Sequence, residues 1–236
     1  MTPTRTEFST ADLPEVVTIL SRERIVETPA NALDDVLRTV PSVNLPFVSS
    51  YQVHPTAGSV SMRGLGGIRA LVLGDGVPLN DPFFGYVQWN QVPMGNIERV
   101  EIVPGGGPPL WGNYAMGGVI NLITRVPKQQ EVGAEGGYGN YNTYRGNGYT
   151  ELTLSDSVKT RTYLGGWGTA GYDQVAGSFG PIYVPTSFAA QNAEVSTYFD
   201  PDAILRGYVR FNFYNNSQTL TTPLQTNNQQ TSLLSG

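Results

Sequence analysis

The stretch IERVEIVPGGGPPLWGNYAMGGVINLIT, Ile97 to Thr124, decides how the chain is read. Residues 97–103 alternate with the period of two that a strand requires, and residues 119–124 read as a second strand. Between them, residues 104–109 form a Gly/Pro bend and residues 110–116 suit a single helical turn. Gly105, Gly106, Gly107, Gly117 and Gly118 permit sharp bends and close approach of one backbone to another, because no Cβ intervenes. A plain set of turns is the bland reading of the same glycines.

Upstream, Met1 to Ala11 is polar and carries no hydrophobic segment, so no signal peptide is expected in the sequence as given. A short strand is expected over 16–20, and Ser21 can N-cap a short helix over 22–25. Thr28-Pro29 reads as the start of a second helix over 30–39, with Leu33, Val36, Leu37 and Val40 on one face and Pro41 ending it. Asp34 and Asp35 are placed on its exposed face. Residues 42–57 are irregular and hold Phe47, Tyr51 and His54. Strands over 60–63 and 69–73 precede Asp75-Gly76, a strong hairpin turn signal. Residues 80–90 form a loop dense in aromatics: Phe83, Phe84, Tyr86 and Trp89.

From about residue 131 the grammar changes to long period-two segments. In 158–169, Lys159, Arg161 and Tyr163 share one face, and Val158, Thr160, Thr162 and Leu164 the other. In 203–213, Leu205, Val209, Phe211 and Phe213 oppose Arg206, Tyr208, Arg210 and Asn212. About five such strands are expected, over 131–139, 142–154, 158–171, 189–199 and 203–217. Tight turns at 155–157 and 200–202 alternate with long loops at 172–188 and 218–236. Long strands with short turns at one end and long loops at the other suit an outer-membrane barrel. Alternation alone leaves a soluble β-sandwich equally open.

Composition narrows the function. Charged residues are 14% of the 236, against about 25% in an ordinary soluble domain. With 14 basic and 19 acidic residues there is no basic face for nucleic acid. Cysteine is absent and His54 is the single histidine, which argues against thiol catalysis and against a metal site. No paired carboxylates with a motif behind them, phosphate loop or nucleophile elbow is found; Asp34/Asp35 and Asp200/Asp202 are near neighbours on a helix and in a Pro turn. The chain is expected not to be an enzyme and to carry no cofactor.

The segment 97–124, SMRG at 61–64, LVLGDGVPLND at 71–81, LRTVPSVN at 37–44, TPTRTEF at 2–8 and ADLPEVVTILSRERI at 11–25 together resemble the plug domain of TonB-dependent outer-membrane receptors, in that family's order and spacing. The resemblance implies an α+β plug domain over 1–126, a small mixed sheet with short helices. It is followed over 127–236 by antiparallel strands of an incomplete transmembrane β-barrel, whose complete form has about 22 strands. It implies ligand-gated uptake across the cell outer membrane of a scarce small-molecule nutrient: a ferric siderophore, cobalamin or an oligosaccharide. Its implied partners are outer-membrane lipid and TonB, the latter through a box upstream of or overlapping residues 1–5. Phe47, Tyr51, His54, Phe83, Phe84, Tyr86 and Trp89 fall on segments matching the ligand-facing apical loops. Packing against a wall or into a small core is the bland reading for half of them. Arg63 matches the arginine that latches plug to barrel-wall carboxylates. The five glycines and Asn121 belong to the plug hallmark. The sequence departs from the family where Pro104 replaces the usual arginine after the Glu-Arg-Val-Glu strand. A soluble carbohydrate-binding β-protein and a plug-like module without transport are the alternatives.

Overall fold

The computed structural model describes residues 17–46, 48–52, 58–65, 69–105, 115–173, 183–200, 207–220 and 226–235. The chain divides into two units, 1–125 and 126–236. Phe47, His54, Gly106, Gly107, Asp202, the segment 1–5 and most of the expected helical turn at 110–116 lie outside the described residues.

In the first unit β1 (Thr18–Ser21) leads directly into α1 (Arg22–Glu27), with Ser21 as N-cap. Thr28 does not start the next helix. It closes α1, its N–H and hydroxyl both donating to the Arg24 carbonyl. The second helix, α2, is correspondingly short (Leu33–Leu37), and Ala32 stands at its N-cap, its N–H held by the Asp35 carboxylate. Then come β2 (Val43–Asn44), β3 (Ser61–Met62), β4 (Ala70–Gly74), β5 (Val77–Pro78), β6 (Ile97–Pro104) and β7 (Gly118–Thr124). Five strands form a mixed sheet in the order β1-β6-β7-β4-β5, with β4 and β7 parallel and the other neighbours antiparallel; β2 and β3 pair separately. β4 reads as an unbroken apolar run because both its faces are covered. Ala70 and Val72 join the main core with Leu33, Val36, Leu37, Trp89 and Ile120, while Leu71 and Leu73 pack with Ala115 and Val119.

The second unit is one antiparallel sheet of six strands in sequential order: β8 (Glu131–Gly139), β9 (Thr143–Ser155), β10 (Val158–Thr169), β11 (Ser187–Phe199), β12 (Gly207–Thr219) and β13 (Thr226–Ser235). β13 corrects the sequence reading, which placed a loop there; its side chains are mostly Asn, Gln and Thr and give no apolar alternation. The ends of β8 and β9, of β10 and β11, and of β12 and β13 that follow one another in the chain lie at one end of the sheet, and those of β9 and β10 and of β11 and β12 at the other.

This sheet is amphipathic in the inverted sense. Leu152, Leu164, Val195, Val209, Phe211 and Leu234 are exposed, and the register sets them on one face: Val195 faces Phe211, and Phe211 faces Leu234. On the opposite face Glu131, Glu151, Arg161, Ser196, Arg210 and Ser235 stand side by side across the strands, and Glu151, Arg161, Ser196 and Arg210 are buried. Two arginines offset the carboxylates of that row and its neighbours. Glu131 lies directly opposite Glu151, an unfavourable pairing of like charges. Arg161 pairs with Glu151 and lies 4.6 Å from the centroid of the Tyr149 ring. The Tyr149 hydroxyl in turn donates to Glu131. Arg210 is 3.4 Å from the Glu194 carboxylate and donates to Ser196. Tyrosine rings also fill the notches left by strand glycines: a Cβ on Gly168 would meet Tyr144, and one on Gly165 would meet Tyr163.

Candidate functional site

The aromatic loop of the first unit is built on Asn80 and Asp81. The Asn80 carboxamide fits between strand and loop, accepting from Val72 N–H and donating to the carbonyls of Ala70 and Gly85. Asp81 Oδ1 accepts the N–H groups of Phe83 (3.0 Å) and Phe84 (2.7 Å), a local side-chain-to-backbone turn. Gly85, at φ 71°, returns the chain so that the Tyr86 carbonyl accepts from Asp81 N–H. These bonds hold the loop's backbone while leaving its rings outside. Phe83 is 84% and Phe84 61% exposed. The two rings meet edge to face at 4.6 Å, and Tyr86 stacks on Phe84 at 6.3 Å. Three adjoining rings, two of them in water, form a platform on which a flat apolar ligand surface can lie.

Trp89 departs from the sequence expectation. It is 1% exposed, packs in the main core, and its indole N–H donates to the Gly58 carbonyl at 3.1 Å. From that position it supports the loop and presents no ring to a ligand. Tyr51 is half-buried in a helical turn, Ser50–Gln52.

Sequence reasoning missed what holds that turn. Asp34 is not on an exposed face; it is 1% exposed. Its Oδ2 accepts from Ser50 N–H and from Arg38, both at 2.9 Å, and its Oδ1 lies 2.8 Å from Ser50 Oγ. Ser50 Oγ is also 2.9 Å from Asn90 Oδ1. Arg38 further donates to Asp35 and to the carbonyls of Pro46 and Val48, and Ser49 donates to Asp35. The network joins α2 to the Tyr51 turn and to the Trp89–Gln91 turn that follows the aromatic loop. Burial, then the adjacent Asp35 charge, push the Asp34 carboxyl above the usual range, outweighing Ser50 and Arg38. The available signal was an Asp with an Arg four residues on, close to a Ser-Ser pair.

At the β6–β7 junction the expected glycines meet close neighbours. Gly105 N–H donates to the Gly117 carbonyl, and Gly117 N–H to the Arg69 carbonyl. A Cβ on Gly117 would lie 2.9 Å from that Arg69 oxygen. Gly118, at φ 140°, admits the Val103 carbonyl and the Met62 side chain where a Cβ would stand. Arg63, at φ 51°, occupies a tight turn with Gly64, is exposed, and lays its guanidinium over Gly105. Asn121 is buried in β7 between Glu101 and Leu73. Among the described residues there is no cluster of three His, Cys, Asp or Glu side chains that could hold a metal ion.

Residues 9–119 match the TonB-dependent Receptor Plug Domain family. A vitamin B12 transporter of Vibrio vulnificus is 37% identical over 131 residues, which cover 56% of this chain and 21% of that protein. A ferric enterobactin receptor of Pseudomonas aeruginosa is 30% identical over 171 residues, covering 65% and 23%. The chain thus spans less than a quarter of the length of these curated relatives. Among solved structures, P. aeruginosa FpvA bound to heterologous pyoverdines superposes with a TM-score of 0.71 at 22% identity, over 92% of this chain and 27% of that one. The ferric-catecholate import receptor Fiu of E. coli K12 gives 0.67 at 22% identity, over 89% and 28%.

Proposed function

We propose that the chain, whose residues 9–119 match the plug-domain family, forms the plug and first wall strands of an outer-membrane TonB-dependent receptor for a scarce small-molecule nutrient. The observation that carries the membrane half of this reading is the inverted sheet. A strand set with exposed Leu, Val and Phe on one face and buried Glu and Arg on the other is suited to lipid outside and a polar lumen inside. A sheet built for water would have the reverse pattern, which disfavours the soluble carbohydrate-binding alternative.

The plug gates, and the ligand contacts it through the platform of Phe83, Phe84 and Tyr86. Exposed rings held by an internally bonded backbone lose little freedom on binding. Arg63 is the proposed latch toward a wall carboxylate. It is exposed. TonB and outer-membrane lipid are the proposed partners. The relatives' names point to a corrinoid or a ferric siderophore as the class of ligand.

The test is equilibrium binding of vitamin B12 and of ferric enterobactin to the 236-residue chain in detergent micelles. One of the two is expected to bind, and the double variant Phe83→Ala/Phe84→Ala to weaken it about tenfold, a loss of about 1.4 kcal/mol. Binding unchanged in the variant would remove the platform from the site.

A further inference from the structure

The hydrogen atoms between α2 and the two turns beside the aromatic loop do not balance while Asp34 is ionised. Ser50 Oγ has one proton and lies within hydrogen-bond distance of two acceptors, Asp34 Oδ1 (2.8 Å) and Asn90 Oδ1 (2.9 Å). An ionised carboxylate accepts only, so with the Asn90 oxygen rather than its NH2 turned toward Ser50 one of these contacts is left without a hydrogen. A proton on Asp34 Oδ1 completes the set. Asp34 then donates to Ser50 Oγ, Ser50 donates to Asn90 Oδ1, and Asp34 Oδ2 still accepts from Ser50 N–H and Arg38.

The charges agree with this count. Among the described residues, those bonded to Asp34 and Asp35 include one cation, Arg38, which faces both carboxylates. Asp35, with its side chain 21% exposed, also takes Ser49 and the Ala32 N–H, whereas Asp34 is 1% exposed. The Tyr51 turn brings Ser49 and Ser50 and the Trp89 turn brings Asn90, all uncharged. One guanidinium supports one ionised carboxylate here. Ionising the buried second one costs more than ionising the partly exposed first.

We infer that Asp34 is a proton-carrying positioning residue: with Ser50 and Asn90 it ties the Tyr51 turn to the Trp89 turn, and the loss of its proton breaks that tie. The inference rests on the reading of the neighbouring loop as the ligand platform only for its consequence, which is that the platform's support is firmest when Asp34 is neutral. The bond network itself stands without any ligand.

The experiment is therefore done on the ligand-free full chain, isotope-labelled in detergent micelles. The Asp34 carboxyl carbon, the Asn90 side-chain amide and the Trp89 indole N–H are followed from about pH 3 to 8, a range spanning the ordinary carboxylate values. All three signals are expected to move with one midpoint above the ordinary aspartate range. In Asp34→Asn, whose amide donates to Ser50 at every pH, the Asn90 and Trp89 signals are expected to stay at their low-pH positions. In Ser50→Ala the Asp34 carbon still titrates, but the movement at Asn90 and Trp89 is lost. The inference is overturned if Asn90 and Trp89 do not share the Asp34 midpoint, or if their movement survives either substitution. Should Asp34→Asn fail to fold, Ser50→Ala decides alone. Failure here leaves the Phe83/Phe84 binding test untouched, and failure there leaves this titration standing.

Discussion

At the scale of single residues, glycine positions separate two costs that sequence cannot tell apart. Gly64 has φ 72° and open space around it, whereas Gly118 has φ 140° and the Val103 carbonyl and Met62 Cε, 2.6 Å away, where its Cβ would be. Gly64→Ala is expected to cost about 1 kcal/mol, the backbone penalty alone. Gly118→Ala is expected to cost about 3 kcal/mol or more, because backbone atoms must move as well. Urea unfolding of both variants, followed by tryptophan emission, measures the difference. That bends were needed near 105 and 117–118 was legible in the sequence; which atoms fill the absent Cβ was not, because Met62 and Val103 arrive from other strands. The exposure of Asp34 was misread for a related reason. Helical periodicity assigns a residue to a face, but α2 is one short turn with the 48–52 segment packed over that face. Its raised carboxyl value fixes the sign of a pH effect. The stabilisation that Asp34 gives is fully present below its unfolded value, 3.8, and is lost as pH rises through the higher folded value. Asp34→Asn is therefore expected to lose least stability relative to the parent at neutral pH and most near pH 4, measured by the same unfolding assay across pH.

At the scale of elements, strands whose two faces differ in polarity were readable and those with one polar character were not. β10 alternates Lys159, Arg161 and Tyr163 with Thr160, Thr162 and Leu164, and the register confirms that grouping. β13, TNNQQTSLLS, offers no such contrast and is recognisable only as the strand paired along β12. The same blindness applies at α2, where Thr28-Pro29 has the chemistry of a helix start but serves as a helix end. The inverted faces make a direct prediction. The chain has no cysteine, so single cysteines can be placed along β10 and labelled with a fluorophore. In a sheet completed by further strands and held in micelles of a brominated detergent, labels at Thr160, Thr162 and Leu164 are expected to be quenched, and those at Lys159 and Tyr163 to stay bright. Equal quenching at both sets would remove the lipid-facing assignment of this sheet.

At the scale of the whole molecule, edges decide. Among the described residues β8 and β13 are each paired along one side only. Barrels in membranes have at least about 8 strands and no edge. In hydrocarbon, each unpaired backbone group costs several kcal/mol. Two free edges, of 9 and 10 residues, then cost tens of kcal/mol, against a folding stability of about 5–15 kcal/mol for a domain. No arrangement of side chains offsets that deficit; only further strands do, supplied by more chain or by other copies. The first unit has no such debt to hydrocarbon, since its sheet surrounds its own core. The 236-residue chain mixed with preformed lipid vesicles is therefore expected to keep a protease-resistant fragment near residues 17–125 while residues 126–236 are digested. It should show no difference in gel mobility between boiled and unboiled samples. A heat-modifiable, protease-resistant species would mean that the edges of β8 and β13 had found partners. Its mass on an unboiled gel would then tell self-association, at a multiple of one chain, from closure within a single chain.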